Sequence, residues 1–370
     1  MQFAFTDEQD QFRDVVSRFL SRRTSTSDVR RLMASDSGYD PDVWQELSQS
    51  LGVCGLSVPE QYGGAGFGMV ELCIVAEEMG QALYCGPFFG HTVLSTQLLL
   101  LVADDSEKQA LLPAMSTGER LTALAWAEDD GDWTGHFVQT CANNAGRLDG
   151  AKSFVVDGTL ASQLLVLARD TDTGSLDWYL IDPGHTGVER RSLQTLDGTR
   201  RLAHIRFQNV PAKRLGQRRG GQYSLKPLLD AACIVLANEM VGGAQKMLDS
   251  ALAYTRIRMQ FGRRISSFQA VKHRLADLLL EIELARSAAY YAAAAWDQGD
   301  ANLSALASMA KSSCAEAFMH AAAECIQLHG GIGFTWDHDT HLWFRRAKSD
   351  EVFLGDPAWH RERMLSNWQE

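Results

Sequence analysis

Two stretches decide how this chain reads. Arg258-Met259-Gln260-Phe261-Gly262-Arg263-Arg264 closes one long helical pattern, and Gln327-Leu328-His329-Gly330-Gly331-Ile332-Gly333-Phe334 closes another. In the first, Arg256, Arg258, Arg263 and Arg264 put four arginines within nine residues, with Tyr254, Gln260, Phe261 and Ile265 among them. Basic residues at a helix end are favoured by the helix dipole; equally, planar guanidinium groups grip phosphate oxygens two at a time. In the second, glycine after a helix is an ordinary C-cap. Gln327 before it and Phe334 behind it also offer a backbone without Cβ atoms on which a ligand lies flat beside an amide. Neither this run nor Gly63-Gly64-Ala65-Gly66 completes G-x-G-x-x-G or follows a strand, which excludes a Rossmann or P-loop site.

Outward from these stretches the pattern is helical, then strand-like, then helical. Thr6 and Gln9 form a capping box, and Phe12, Val15, Val16, Phe19 and Leu20 then recur at helical spacing. Helices are expected over 42–51, 69–79, 92–102 and 107–115. Around Ala123 the apolar period becomes 2: Leu148, Phe154, Val156, Leu164, Val166, Trp178, Leu180, Leu202, Ile205 and Phe207 read as short strands. Asp149-Gly150 and Asp197-Gly198 read as turns between them. From Leu225 the helical period returns, with long helices over 231–258, 268–297 and 303–328 and a last one after Asp339. Alanine-rich interiors (Ala288, Ala289, Ala292 to Ala295, Ala321 to Ala323) permit close helix approach. The expected architecture is mainly α with a β insert: an N-terminal helical domain (1–121), a middle antiparallel β domain (122–220) and a C-terminal helical bundle (221–370).

Of 370 residues, 45% are hydrophobic and 22% charged, with 46 acidic against 35 basic side chains and a formal charge of −11. That balance disfavours nucleic acid and anionic membrane surfaces. The mean hydropathy of −0.17 comes with no unbroken apolar run of membrane-spanning length. Asp7, Glu8, Asp10 and Asp14 argue against a targeting peptide, so the cytoplasm is the expected compartment. The seven cysteines are scattered, without a C-x-x-C pair, and read as reduced core residues. Trp336-Asp337-His338-Asp339-Thr340-His341 is dense in His and Asp but irregular in ligand spacing. It reads as a turn with an N-cap at Asp339 or Thr340, and no metal is expected.

In this order the segments resemble the acyl-CoA dehydrogenase family over nearly the whole chain. The resemblance rests on Phe3-Ala4-Phe5-Thr6-Asp7-Glu8-Gln9, Gly52, Val58-Pro59-Glu60, Tyr62-Gly63-Gly64 and Glu77-Glu78-Met79-Gly80. It continues through Leu148-Asp149-Gly150-Ala151-Lys152, Phe154, Phe207 and Val210-Pro211 to the two stretches quoted first, with Phe268-Gln269-Ala270. It implies the three-domain fold with a C-terminal four-helix bundle and FAD-dependent α,β-dehydrogenation of an acyl-CoA thioester, usually by a tetramer. It also implies that Arg258 reaches the FAD pyrophosphate of a neighbouring subunit, with Gln260 and Phe261 beside it. Gln327, Gly330 and Gly331 then touch the adenosine and pyrophosphate.

The half of the family site that holds the flavin ring departs from the pattern. Where the family has Thr-Glu-x-x-x-Gly-Ser-Asp, this chain has Ala127-Glu128-Asp129-Asp130-Gly131-Asp132-Trp133. Where it has Trp-Ile-Ser/Thr, this chain has Phe154-Val155-Val156. Each missing ring hydrogen bond weakens binding by about 1 kcal/mol. The usual catalytic Glu, which abstracts the α-proton, falls on Leu354, and the alternative position in the first bundle helix falls on Ala232. Asp230, Glu239, Glu351 and Asp356 are the candidates for a displaced base. Against that role, Asp230 reads as a helix N-cap, Glu239 as a buried hydrogen-bonding group, and the other two as surface charge.

The expectation is therefore a subunit that supplies the ADP half of a flavin site to a homologous second acyl-CoA dehydrogenase chain carrying the Glu, two copies of each, as in bacterial steroid side-chain dehydrogenases. The expected substrate is an acyl-CoA, with a bulky acyl group by analogy to those dehydrogenases, and the electrons would leave to an electron-transfer acceptor. Two other readings stay open. One is a homotetramer with a displaced base or a chemistry needing no Glu, such as desulfination; the other is a flavin-free scaffold subunit.

Overall fold

The change of period from 3.6 to 2 and back appears directly in the computed structural model, which describes residues 5–217 and 219–368. In chain order the elements begin with α1 (Asp7–Arg23), α2 (Thr26–Ala34), α3 (Pro41–Gln45), α4 (Met69–Ala82), α5 (Gln97–Val102) and α6 (Asp105–Ser116). The strands follow: β1 (Thr122–Ala125), β2 (Cys141–Ala142), β3 (Arg147–Val156), β4 (Gln163–Asp170), β5 (Leu176–Ile181), β6 (Val188–Ser192), β7 (Leu202–Pro211) and β8 (Lys213–Leu215). The chain then runs through α7 (Gly220–Ile257), β9 (Met259–Gln260), β10 (Arg263–Arg264), α8 (Gln269–Gln298), α9 (Leu303–His329), α10 (Thr340–Val352) and α11 (Pro357–Asn367). These elements fall into two packed units. One holds residues 5–30, 69–84 and 233–368; the other holds 31–68 and 85–232, so the boundary lies inside α7.

In the first unit, α1 begins with the expected capping box, Thr6 and Gln9 exchanging hydrogen bonds. Its Arg13 pairs with Glu77 of α4 at 2.7 Å. Glu77 also takes a hydrogen bond from the Tyr290 hydroxyl of α8 at 2.5 Å and pairs with Arg286. Helices approach closely where glycine allows it. A Cβ on Gly80 of α4 would stand 1.9 Å from the Glu239 carbonyl oxygen of α7, and one on Gly242 would stand 1.8 Å from that of Glu77. Alanines do the same work between α8, which buries Ala285, Ala289, Ala292 and Ala293, and α9, which buries Ala310, Ala315, Ala321 and Ala322. Cys314 of α9 reaches the Ala285 carbonyl at 3.3 Å.

In the second unit, eight strands form one sheet in the order β6-β7-β3-β2-β4-β5-β8, with β1 paired to β4. β4 buries Leu164 to Ala168 without interruption, as a central strand covered on both faces does. Most ladders are antiparallel, as expected, but β1–β4 and β2–β4 are parallel. Alternation of apolar residues carries no information on strand direction, so this departure was invisible in the sequence. The sheet core is built from Leu148, Val155, Leu164, Val166, Tyr179, Ile181, Ile205, Phe207 and their neighbours.

Two expected boundaries are corrected. The helix read as 231–258 begins at Gly220 and contains Pro227, so Asp230 is not an N-cap but an interior, buried residue of α7. Asp339 takes the N-cap position of α10, yet its carboxylate pairs with Arg30 at 2.8 Å instead of bonding the helix N–H groups. α7 is long and apolar enough by composition to cross a membrane, and nearly all of its most apolar window is buried inside the protein. Six cysteines are buried and Cys141 is half-buried, all of them unpaired.

Candidate functional site

The Arg258 segment is a two-residue hairpin. Arg258 N–H closes the last turn of α7 on the Tyr254 carbonyl (2.9 Å), and its own carbonyl accepts the Ile265 N–H (2.9 Å). Gln260 pairs with Arg263 and Met259 with Arg264, while Phe261 (φ 53°) and Gly262 (φ 74°) make the turn. Positive φ at both central residues is the type I′ geometry that matches strand twist. Phe261 is 89% exposed and touches Phe268 edge-on, with the Arg263 guanidinium 4.0 Å above the Phe268 ring. Arg258 and Gln260 are exposed. Among the described residues, no carboxylate pairs with Arg258.

The glycine segment follows α9. Gly330 N–H caps the helix on the Gln327 and Ile326 carbonyls, at φ 69° and ψ −145°, a region essentially reserved for glycine. A Cβ on Gly330 or Gly331 would meet nothing within 4 Å, whereas one on Gly333 would stand 2.9 Å from the Ile326 carbonyl oxygen. Gly333 is thus needed for packing, while Gly330 and Gly331 leave open space above the backbone. Gln327 and Phe334 are exposed. The structure brings the two segments together: the rings of Tyr254 and His329, one from each, stack 4.2 Å apart.

Leu354 and Ala232, where the resemblance puts the family's base, are both enclosed. Leu354 is fully buried at φ 63°, and its carbonyl faces His360 Nε2 at 3.1 Å. Lys311, itself fully buried, donates to the carbonyls of Glu351 (3.2 Å) and Gly355 (3.0 Å) on either side. Ala232 is buried within α7. Of the displaced-base candidates, Glu239 forms a buried ion pair with Arg346 at 2.5 Å. Glu351 pairs with Lys348, and Asp356 caps α11 through the Trp359 N–H at 2.8 Å. Asp230 is buried in α7.

In the second unit, the loop matching the family's ring-binding segment is tied to its own strands. Glu128 accepts from the N–H groups of Gln139 and Thr140, both at 2.9 Å, and from Lys152 Nζ at 2.8 Å. Burial pulls the Lys152 ammonium down to about 8, against the opposing pull of Glu128. Burial works against the Glu128 charge too, but Lys152 and the backbone donors outweigh it and hold the carboxyl below its ordinary value. Asp129 accepts from the Ser153 hydroxyl, and Asp132 accepts from the N–H groups of Thr134 (2.9 Å) and His136 (2.7 Å). A register shift in β3 between Lys152 and Val155 puts Phe154 at φ 57°, against Trp133, which packs on Trp126. Ala127 and Val156, where the resemblance puts the family hydroxyls, are buried. The Glu128–Lys152 pair was missed in the sequence. Its signal was a lysine at an inward-facing position of an alternating strand.

The profile of the acyl-CoA dehydrogenase C-terminal domain matches residues 219–367, and that of the N-terminal domain matches 6–119. The chain is 34% identical to the acyl-CoA dehydrogenase IpdE2 of Mycobacterium tuberculosis, over 98% of each chain. It belongs to the acyl-CoA dehydrogenase family. The ChsE4–ChsE5 complex of Mycobacterium tuberculosis matches with a TM-score of 0.89 at 26% identity, over all of both chains. A variant of the Tcur3481–Tcur3483 steroid ACAD matches with a TM-score of 0.87 at 28% identity, over 97% of each. The fold is that of the family, and FAD is the family's cofactor.

Proposed function

We propose that this chain is one subunit of an FAD-dependent acyl-CoA dehydrogenase that works as a hetero-oligomer. In this reading Arg258, Gln260, Phe261, Gln327, Gly330 and Gly331 serve the ADP end of a flavin, and a homologous partner chain supplies the ring pocket and the catalytic Glu. One contrast carries the reading. Arg258 and Gln327 are exposed beside open glycine backbone, while Leu354 and Ala232, both aliphatic and buried, stand where the family keeps its base. An alkyl side chain accepts no proton, so α-proton abstraction needs a carboxylate from elsewhere.

The residues fit the nucleotide end of FAD. A guanidinium without a carboxylate partner offers paired donors to a diphosphate, and backbone without Cβ atoms lets it approach. They do not fit the ring end as well: two hydroxyls are gone, and Glu128, Asp129 and Asp132 already receive hydrogen bonds from their own loop and strands. Bound FAD supplies the two-electron acceptor for α,β-dehydrogenation; this chain's residues hold and orient it and move no proton. Ile257, Met259 and Phe261 on the hairpin and Leu280 and Leu284 on α8 are exposed, the apolar surface expected of a chain covered by another. The likeness to the steroid ACAD and to the ChsE4–ChsE5 complex supports a bulky, steroid side-chain acyl-CoA as substrate. An electron-transfer acceptor, a cytoplasmic location and the domain division at 121 and 220 belong to the same reading.

The test is expression alone and together with an acyl-CoA dehydrogenase homologue encoded beside it, followed by native mass and visible absorbance. The expected outcome is a colourless chain that becomes yellow and tetrameric only with its partner. A yellow homotetramer that oxidises an acyl-CoA by itself would sink the reading.

A further inference from the structure

Three aromatic rings from three segments meet behind the nucleotide end. His329, the last residue of α9, is buried, with the Tyr254 ring stacked on it at 4.2 Å and an interplanar angle of 27°. The His338 ring also lies 4.5 Å from it, tilted by 53°. His329 Nδ1 is 2.7 Å from the Cys325 carbonyl, so that nitrogen carries the proton and fixes the ring's rotation. Each of these two rings is tied to structure of its own. The Tyr254 carbonyl accepts the Arg258 N–H that starts the hairpin. The chain beyond His338 is held by Arg30, which donates to the His338 carbonyl at 3.1 Å and pairs with Asp339. Thr340 Oγ1 closes the arrangement on the Gly333 carbonyl at 3.1 Å.

His329 is therefore a direct side-chain link between the segment carrying Arg258 and the one carrying Gln327, Gly330 and Gly331. Gly330 follows it with a backbone that has nothing packed against its Cα substituent position, and the hairpin beyond Tyr254 is exposed. The ring contact of Tyr254 with His329 thus joins the start of the hairpin to the start of the glycine turn.

We propose that His329 is a positioning residue that, by its ring contacts with Tyr254 and His338, sets the distance between Arg258 and the Gly330-Gly331 backbone, and so the fit to the two ends of an adenosine diphosphate group. This rests on the reading that those residues hold the ADP end of FAD. His329 touches no ligand; it acts through Arg258 and Gly330.

A double-mutant cycle tests it. FAD affinity is titrated on the co-expressed complex after flavin removal, with the thermal midpoint of each flavin-free variant measured in parallel. Arg258→Ala and His329→Ala are each expected to weaken FAD about tenfold, a coupling-sized effect. On the Arg258→Ala background, His329→Ala should add less than about twofold, since it acts through the group already removed. His329→Phe, which keeps a ring in the stack, should bind FAD within about twofold of the parent. Tyr254→Leu, at a half-exposed position, should repeat the His329→Ala result and stands in if that variant does not fold. Equal losses from His329→Ala in both backgrounds, or none in either, would overturn the positioning role while leaving the ADP-end reading intact. Unchanged FAD affinity in Arg258→Ala would overturn that reading itself, whatever His329 does.

Discussion

The Arg258 hairpin and the Leu354 turn follow α7 and α10 of the same unit, and each holds a non-glycine residue in the left-handed region, Phe261 at φ 53° and Leu354 at φ 63°. Their surroundings are opposite. Around Phe261 the side chains are exposed, and among the described residues no carboxylate pairs with Arg258. Around Leu354 the carbonyls of residues 351, 354 and 355 all face buried Lys311 or His360, and the side chain is sealed. Backbone strain at a helix end therefore marks neither site as functional. What separates them is whether the polar groups nearby already have partners within the described chain.

That contrast has measurable consequences. The largest belongs to the helix leading into the closed turn. Replacing Glu239 by Leu removes the carboxylate of the buried Arg346 ion pair, and about 3–5 kcal/mol of stability is expected to go, read from the shift in urea midpoint. Leu354→Ala opens a cavity where nothing outside can enter, with an expected loss of about 2–4 kcal/mol in the same assay. A loss below about 0.5 kcal/mol would show that the turn is not packed, and the comparison would fail.

A smaller effect is the pH dependence. Burial, with Lys311 and Arg363 nearby, pushes the His360 imidazole from 6.5 down to about 3. The unfolded chain takes up a proton near pH 6.5 that the folded chain refuses until about pH 3. This contribution is whole above pH 6.5 and declines as the pH falls through that window. His360→Gln should flatten the slope, leaving the portion due to buried His91, whose pKa is pushed down to about 4. An unchanged slope would mean that His360 is not held neutral.

The smallest effect on folding is expected at the open end: Arg258→Ala should change stability by no more than about 0.5 kcal/mol while weakening FAD binding by the assembled complex about tenfold. A large stability loss would mean that Arg258 is a structural group and that the open end is not a binding end.

Several elements were legible because their signals are local. The capping box at Thr6 and Gln9, the alanine-rich helices and the change of period at the β insert each depend on residues a few positions apart. Other signals were local but misread. Gly220-Gly221 and Pro227 look like breakers and lie inside α7, because tertiary packing of a long apolar helix outweighs the local penalty. Asp356 and Pro357 start α11 as N-cap and first helical residue, a signature that was present and passed over. Arg258 and Gln327, singled out by type and spacing, are exposed in the structure. The Glu128–Lys152 and Glu239–Arg346 pairs join residues far apart in the chain, and composition says nothing about which charges meet.

By itself, then, the sequence determined the family and the order of helical and β segments, since these depend on residue type and on short-range periodicity. The tertiary structure alone decided the parallel pairing of β1 and β2 with β4, the sealing of Leu354 by Lys311 and His360, and the stack of Tyr254, His329 and His338 that joins two segments some seventy residues apart. Such features arise where distant parts of the chain compete for the same buried space. The outcome is set by which polar groups find partners there.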